Sequence, residues 1–144
     1  IAHLIDLGVE NSKIHQEVYD NSSEHRLRLL GYALTQKMVV LANCNAAYIS
    51  LSQEELKRFS FKKGDTEGLV NYALSISGIK FAALITEKED MISLSLRSKD
   101  GFYVNKIANE HFSGGGHVYA AGGMLETSLE EAISKVEAVM KIKN

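Results

Sequence analysis

The 144-residue chain contains no proline and no tryptophan, and Cys44 is its single cysteine. Cys44 therefore has no partner for an internal disulfide, which argues against a small disulfide-stabilised secreted fold. No apolar run reaches the roughly 18 residues that a membrane-spanning helix needs, so we expect a cytoplasmic protein that does not engage a membrane. Residue 1 is Ile and no signal-peptide pattern follows it, so we expect a processed end or a cut inside a longer chain.

The chain also lacks an excess of charge of either sign. Sixteen Lys and Arg residues oppose eighteen Asp and Glu residues, which gives a formal net charge of −2. A protein that wraps a long nucleic acid needs an extended basic surface, so this balance argues against that class. A local basic or anion-binding pocket is compatible with it. With 45% apolar residues, the chain is long enough for one domain plus a piece of another.

Apolar periodicity predicts a helical N-terminal part followed by an α/β domain. In the last of the N-terminal helices, Leu27, Leu30 and Leu34 form an apolar stripe that a neighbouring domain would cover. From Met38 onward the predicted order is hairpin, helix, hairpin, helix, strand, helix. This order predicts a mixed β-sheet covered by helices, in a two-layer or three-layer α/β domain.

The predicted elements have recognisable boundaries. Two hairpins join residues 38–42 to 46–51 and residues 81–85 to 92–96. Side chains that can cap backbone N–H groups predict the helix starts. These are Ser52 with Glu55, Asp65 or Thr66, Asn105, and Ser128 with Glu131.

Three consecutive glycines, Gly114, Gly115 and Gly116, precede His117. Glycine runs in ordered domains occur where the chain takes positive φ or comes very close to another group. Their N–H groups can form an anion nest, and a helix predicted to start between His117 and Ala121 would add its positive end. The pattern favours a phosphate or carboxylate site, and the alternative is a flexible loop with an exposed histidine. A P-loop is excluded because no Lys-Ser/Thr pair follows the glycines.

Arg97 ends a strictly alternating segment and lies on the face opposite Leu94 and Leu96. Its guanidinium could bind a phosphate through two hydrogen bonds, and the alternative is a solvated charge at a strand end. The chain shows no paired carboxylates, no Asp-His cluster and no nucleophile with a base. We therefore expect no catalytic residue in it, and no metal site, since its histidines lack the spacing of metal ligands.

Four segments resemble, in order, the motifs of the DHHA1 domain of the DHH phosphoesterase superfamily: residues 65–71, 92–98, 104–108 and 112–122. Within that superfamily the chain is similar, from about Ala2 to Ala138, to the bacterial branch of oligoribonucleases and pAp (3′-phosphoadenosine 5′-phosphate) phosphatases, the nanoRNases, often called exopolyphosphatase-related. The resemblance implies three parts. These are a C-terminal stub of a DHH catalytic domain at 1–20, a linker helix at 21–40 and a substrate-binding DHHA1 domain at 41–144.

The resemblance also implies a function. The complete protein would be a two-domain hydrolase of short oligoribonucleotides, of pAp, or of both. Its DHH domain would hold divalent metals, usually Mn²⁺, outside this chain, and the chain alone would be inactive. The site residues that it implies are the phosphate or nucleotide ligands Arg97 and His117, the backbone cradle Gly114, Gly115 and Gly116, and the supporting polar residues Ser98 and Asn105. Ser113 departs from the family pattern, which commonly has a further glycine at this position.

Other functions share this architecture. One is a non-catalytic module for nucleic-acid binding and dimerisation, like the related domain of alanyl-tRNA synthetases. Another is a hydrolase of polyphosphate or of cyclic dinucleotides. The expected partners are a short RNA or nucleotide and the chain's own DHH domain, and a homodimer is compatible with the family. The apolar stripe on the linker helix favours the enzyme, because it requires a neighbouring domain to cover it.

Overall fold

The computed structural model describes residues 23–142, and the helices predicted within residues 1–20 lie outside this range. Six strands form one sheet in the order β1-β2-β3-β4-β6-β5. The strands are β1 Met38–Leu41, β2 Ala46–Leu51, β3 Phe81–Glu87, β4 Ile92–Ser98, β5 Gly115–His117 and β6 Ala120–Leu125. The helices are α1 Glu24–Tyr32, α2 Gln53–Arg58, α3 Leu69–Leu74, α4 Val104–His111 and α5 Leu129–Ile142. Only β2 and β3 pair in parallel, so the predicted mixed sheet covered by helices is confirmed.

Two apolar cores lie on opposite faces of this sheet. On the first face, α4 and α5 pack on strand residues such as Phe81, Leu94 and Leu96. On the second face, α1, α2 and α3 pack on β2 and β3, for example on Ile49 and Leu84. This second core contains no residue of β4, β5 or β6. The second core is therefore centred on β2 and β3, α3 also lies near β4, and β5 and β6 lie outside this core.

Both predicted hairpins and two predicted helix caps are confirmed. Leu41 pairs with Ala46 across the first hairpin, and Glu87 pairs with Ile92 across the second. Ser52 and Glu55 form the predicted capping box of α2. The Ser128 hydroxyl accepts a 3.2 Å hydrogen bond from the Glu131 N–H at the start of α5. Among residues 23–142, no helix is long and apolar enough to cross a membrane.

The predicted apolar stripe on α1 is partly wrong. In this segment Leu29 and Ala33 are fully buried. Of the predicted stripe, Leu30 and Leu34 are partly buried and Leu27 is 56% exposed. The helix passes into a π-helical turn at Ala33–Lys37. The residues that pack on the sheet are thus the i, i+4 pair Leu29 and Ala33, which the predicted stripe does not include.

The predicted start of α3 is also wrong. The helix begins after Gly68, whose φ of +81° serves as its N-cap without any side-chain hydrogen bond. The Asp65 carboxylate instead accepts the Lys62 N–H at 2.9 Å and closes the preceding loop. Leu69, Val70 and Ala73 form the buried face of this helix, and Tyr72 is 51% exposed. Local turn chemistry at Asp65 prevailed over helix capping.

Glu55 joins α2 to the end of α1. Its carboxylate accepts hydrogen bonds from the Tyr32 hydroxyl and the Ser52 N–H, and it lies 3.3 Å from the Lys37 ammonium. Burial alone raises the pKa of the Glu55 carboxyl, but these hydrogen bonds and the Lys37 charge outweigh it, so the net pKa is lowered. The ionised form is thus the one that stabilises this junction.

Replacing Glu55 with Gln should therefore destabilise the protein by about 1–2 kcal/mol at neutral pH, because charge-assisted hydrogen bonds are weakened. A lowered folded-state pKa stabilises the protein above the unfolded value of about 4.3, and this stabilisation is lost as pH falls through the folded value. Urea unfolding of both proteins at pH 7 and pH 3.5 measures the difference, which should shrink at the lower pH. Glu54→Gln on the exposed side of the same helix is the matched control. A difference that grows on acidification would contradict this assignment.

Candidate functional site

The uncovered part of the sheet's second face carries two of the predicted site residues. Arg97 of β4 pairs with Ala120 of β6, and Ala120 pairs in turn with His117 of β5. Directly opposed residues in antiparallel strands point to the same face, and neighbouring strands lie about 4.8 Å apart. Arg97 and His117 therefore lie in one row with backbones about 10 Å apart, separated by a single methyl group. We call this row and its glycine neighbours the open face.

Arg97 has no acidic partner within residues 23–142. One of its terminal nitrogens, Nη1, donates to the Leu96 carbonyl at 2.9 Å. That bond orients the guanidinium while leaving most of its five N–H donors for another group. A partly buried cation held in this way is suited to an anion from outside the domain.

The glycines of the run differ in whether the fold requires them. A Cβ on Gly114 would lie 1.9 Å from the Gly122 carbonyl oxygen, and a Cβ on Gly116 would lie 2.8 Å from the Ala120 carbonyl oxygen. Close contact with β6 therefore requires both glycines. A Cβ on Gly115 would meet nothing within 4 Å, and Gly115 is not among the glycines with positive φ. The fold does not require glycine at Gly115, so its bare backbone is available to a ligand.

Gly115 pairs with Gly122, which pairs with Ser95 of β4. Gly115 and Gly122 together make a flat backbone surface beside the Arg97–His117 row. Exposed glycines let a ligand approach the main chain closely. The open face thus combines a cation, a histidine and accessible backbone. Together these groups can bind a phosphate and the atoms attached to it.

The helix predicted to start between His117 and Ala121 is wrong. The chain forms a hairpin there, with β5 and β6 joined at Val118 and Tyr119. No helix N-terminus at that point adds positive charge to the site. The Val118 carbonyl accepts from the Val104 N–H at 2.9 Å and the Tyr119 carbonyl from the Ser98 N–H at 3.0 Å, so the hairpin tip is tied to β4 and α4.

Ser113 adopts a φ of +49°, in the left-handed region that glycine occupies at little cost. The serine therefore does not prevent the turn that leads into the glycines. The backbone also fixes this turn, because the Gly114 N–H donates to the Ala108 carbonyl at 3.0 Å. The departure from the family pattern leaves the turn in place with some backbone strain.

Asn105 does not cap α4, as the sequence had predicted. The helix begins at Val104, and its N-cap residue Tyr103 makes no side-chain capping bond. The Oδ1 atom of Asn105 is buried and has no hydrogen-bond partner within the described part of the chain. It lines a pocket of about 320 Å³ that also includes Gly115 and Gly116. An unsatisfied buried acceptor is costly, so a ligand N–H or O–H would be favourable there.

The remaining predicted residue, Ser98, is used within the fold. It is 5% exposed, and its hydroxyl donates to the Phe102 carbonyl. Its alternate position in β4 places it on the face opposite Arg97. The structure thus brings together Arg97, His117 and Gly115, places Asn105 on the other side of β5, and leaves Ser98 as a support for the turn after β4.

The prediction from sequence missed Ser95, Gly122 and Met124, which also lie on the open face or at its border. The alternation of Ser93, Ser95 and Arg97 already indicated a wet face, but nothing local showed which strands would lie beside it. Within residues 23–142, no group of three or more His, Cys, Asp or Glu side chains could hold a metal ion. The metal implied by the family resemblance thus finds no ligand set in this range.

Comparisons with known proteins agree with this architecture. A solved structure of an exopolyphosphatase-related protein from Bacteroides fragilis is 41% identical with a TM-score of 0.88, over 97% of this chain and 41% of that one. A pGpG-specific phosphodiesterase from Vibrio cholerae is 16% identical with a TM-score of 0.62, over 96% and 44% of the two chains. The C-Ala domain of alanyl-tRNA synthetase from Aquifex aeolicus is 13% identical with a TM-score of 0.52, over 67% and 88%.

The two low-identity structures show a shared fold only. None of the curated proteins matches the chain. The chain spans less than half the length of the Bacteroides fragilis protein. Residues 42–142 match the model of the DHHA1 domain, and this match covers most of the sequence. The chain therefore belongs to the DHHA1 domain family.

Proposed function

We propose that this chain is the substrate-binding part of a metal-dependent phosphoesterase that hydrolyses short oligoribonucleotides, pAp, or both. A DHH catalytic domain would precede it, with residues 1–20 as the end of that domain and 21–40 as the linker helix. In this proposal Mn²⁺ or a similar divalent cation is held by the catalytic domain, outside this chain, and supplies the hydrolytic chemistry. The DHHA1 part, over residues 41–144, binds the substrate and fixes its orientation.

The observation that carries the proposal is the Arg97–His117 row on the open face. Arg97 has no carboxylate partner among residues 23–142, and His117 is exposed on the same side of the sheet. A phosphate between them would accept hydrogen bonds from the Arg97 guanidinium. It would also accept one from the His117 imidazole whenever the facing ring nitrogen carries a hydrogen. The bare backbone of Gly115 allows the rest of a nucleotide to lie against the sheet.

The size and charge of the site favour a short substrate. A formal net charge of −2 does not support an extended basic track, and the site offers one uncompensated arginine. Long nucleic acids depend on many phosphate contacts, whereas a short oligonucleotide can be held by a few directed ones. The likeness to a protein described as a pGpG-specific phosphodiesterase is compatible with a dinucleotide-sized ligand.

Hydrolysis assays of the complete enzyme with Mn²⁺ test the proposal. The substrates should be pAp, a linear diribonucleotide, a cyclic dinucleotide and inorganic polyphosphate. We expect turnover of the linear diribonucleotide, of pAp, or of both, and none by the 144-residue chain alone. Exclusive turnover of polyphosphate or of the cyclic dinucleotide would contradict the substrate class. Hydrolysis by the isolated chain would contradict the division of labour between the two domains.

A further inference from the structure

A cleft of about 440 Å³ lies where the open face meets the helices that cover β3. Its lining includes Lys57 of α2, Phe61 and Thr66 of the following loop, Lys88 at the hairpin tip, and Ser93 and Ser95 of β4. Resting on the function proposed above, we propose that this cleft is a second nucleotide subsite. It takes the part of an oligoribonucleotide that extends beyond the phosphate held at Arg97 and His117.

The cleft continues directly from the Arg97–His117 row. Ser95 and Ser93 lie two and four residues before Arg97 on the same face of β4. At about 3.4 Å per strand residue, they are about 7 and 14 Å from Arg97 along the strand. Each step between stacked nucleotides rises about 3.4 Å, so about three to five nucleotides span these distances. A substrate anchored at Arg97 can therefore reach the cleft without leaving the sheet.

The lining of the cleft has the composition that a ribonucleotide requires. Phe61 is 38% exposed and offers an aromatic surface on which a base can stack. Leu56 and Leu84, both nearly fully buried, form an apolar floor. The hydroxyls of Ser93 and Ser95 stand beside this floor and can hydrogen-bond to sugar hydroxyls or base edges.

The charges around the cleft are balanced and are compatible with a nucleotide. Lys57 and Lys88 make no ion pair with any residue in the described range. Glu87 also lines the cleft, but its carboxylate accepts the Gln53 N–H at 2.9 Å and is directed to the start of α2. Glu89 lies exposed in the turn after β3 and lines the cleft as well. The lining thus carries two ammonium groups and two carboxylates, and because the Glu87 carboxylate is engaged at the start of α2, Lys57 and Lys88 can each donate to a phosphate.

A length-dependent kinetic test separates this subsite from the first one. The complete enzyme is assayed with pAp, which contains one nucleoside, and with a 5′-phosphorylated tetraribonucleotide. Phe61→Ala should raise KM for the tetraribonucleotide about fivefold to tenfold, because stacking on an aromatic ring is lost, and leave KM for pAp unchanged. Phe61→Tyr should restore the wild-type value. Lys57→Glu should also raise KM for the tetraribonucleotide only.

Tyr72→Ala removes another exposed aromatic ring, from α3, and should leave both KM values unchanged. Lys141→Glu on α5 makes the same charge change on the opposite side of the sheet and should do likewise. If Phe61→Ala lowers the melting temperature, the KM values of Lys57→Glu, a change at an exposed position, test the subsite instead.

Four outcomes would overturn the subsite. Equal losses on both substrates would show that the cleft serves folding or docking of the catalytic domain. Unchanged KM for the tetraribonucleotide in both cleft variants would show that no nucleotide binds there. A wild-type enzyme that hydrolyses pAp but not the tetraribonucleotide would exclude the longer ligand. A wild-type enzyme that hydrolyses neither substrate would overturn the proposed function itself and this subsite with it.

Discussion

Arg97→Ala in the complete enzyme should raise KM for oligoribonucleotides and for pAp by about tenfold to a hundredfold. Hydrogen bonds to a charged group contribute about 1.5–3 kcal/mol, and each 1.4 kcal/mol corresponds to a factor of ten in binding. The value of kcat should change much less, because Arg97 is proposed to hold a part of the substrate remote from the metals. Steady-state kinetics on both substrates measures the two parameters separately.

The variant Arg97→Lys tests the geometry behind this expectation. Lysine keeps the positive charge but loses the planar fork that can bind a phosphate through two hydrogen bonds. Its KM should therefore lie between those of the wild type and Arg97→Ala. Removing the Arg97 side chain should hardly affect folding, since within residues 23–142 that side chain donates only to the neighbouring Leu96 carbonyl. Unchanged kinetics on both substrates, with a folded protein, would remove Arg97 from the site.

The elements defined by local patterns could be predicted from the sequence. The hairpin of β3 and β4 has a charged turn between two apolar segments, and the alternation in β4 matches its observed burial. The capping box at Ser52 requires only residues that are three apart in the chain. Such signals depend on neighbours in sequence, so they survive without knowledge of the tertiary structure.

The errors occur where tertiary contacts decide between two local options. The segment from His117 to Ala121 has little periodicity, and pairing of Ala120 with both Arg97 and His117 makes it a strand and a turn. Asn105 is a good capping residue, yet the N-cap of α4 is Tyr103, two residues earlier, and the Val104 N–H donates to the Val118 carbonyl. Both outcomes depend on β6 lying between β4 and β5, which no short stretch of sequence specifies.

The candidate site shows the same division. Arg97 and His117 are each candidate anion ligands from their own surroundings, and the family resemblance implies that role for both. That they share a row follows only from the strand order β4-β6-β5, and that the row is uncovered follows from α1, α2 and α3 packing over the other half of the sheet. The cleft beside Phe61 joins three separate segments, so no local sequence pattern indicates it.

The glycine run offers the sharpest test of how fold and function are divided in this domain. Gly114→Ala should destabilise the protein by about 3 kcal/mol or more, because its Cβ would lie 1.9 Å from the Gly122 carbonyl oxygen and 2.6 Å from Gly123 Cα. Both contacts are with backbone, so relief requires β6 to move, and overpacking costs about 1–3 kcal/mol even where side chains can adjust. Urea unfolding measures this loss.

Gly115→Ala is the matched variant, one residue further along the chain at the start of β5. Its Cβ would meet no atom within 4 Å, so the free energy of unfolding should stay within about 0.5 kcal/mol of the wild type. The added methyl group would nevertheless stand on the open face beside Gly122, where a nucleotide is proposed to lie, and KM should rise. Equal stability of the two variants would contradict the close contact at Gly114. Unchanged KM in Gly115→Ala would show that the ligand does not approach this backbone, since a ligand in contact with it would collide with the added methyl group.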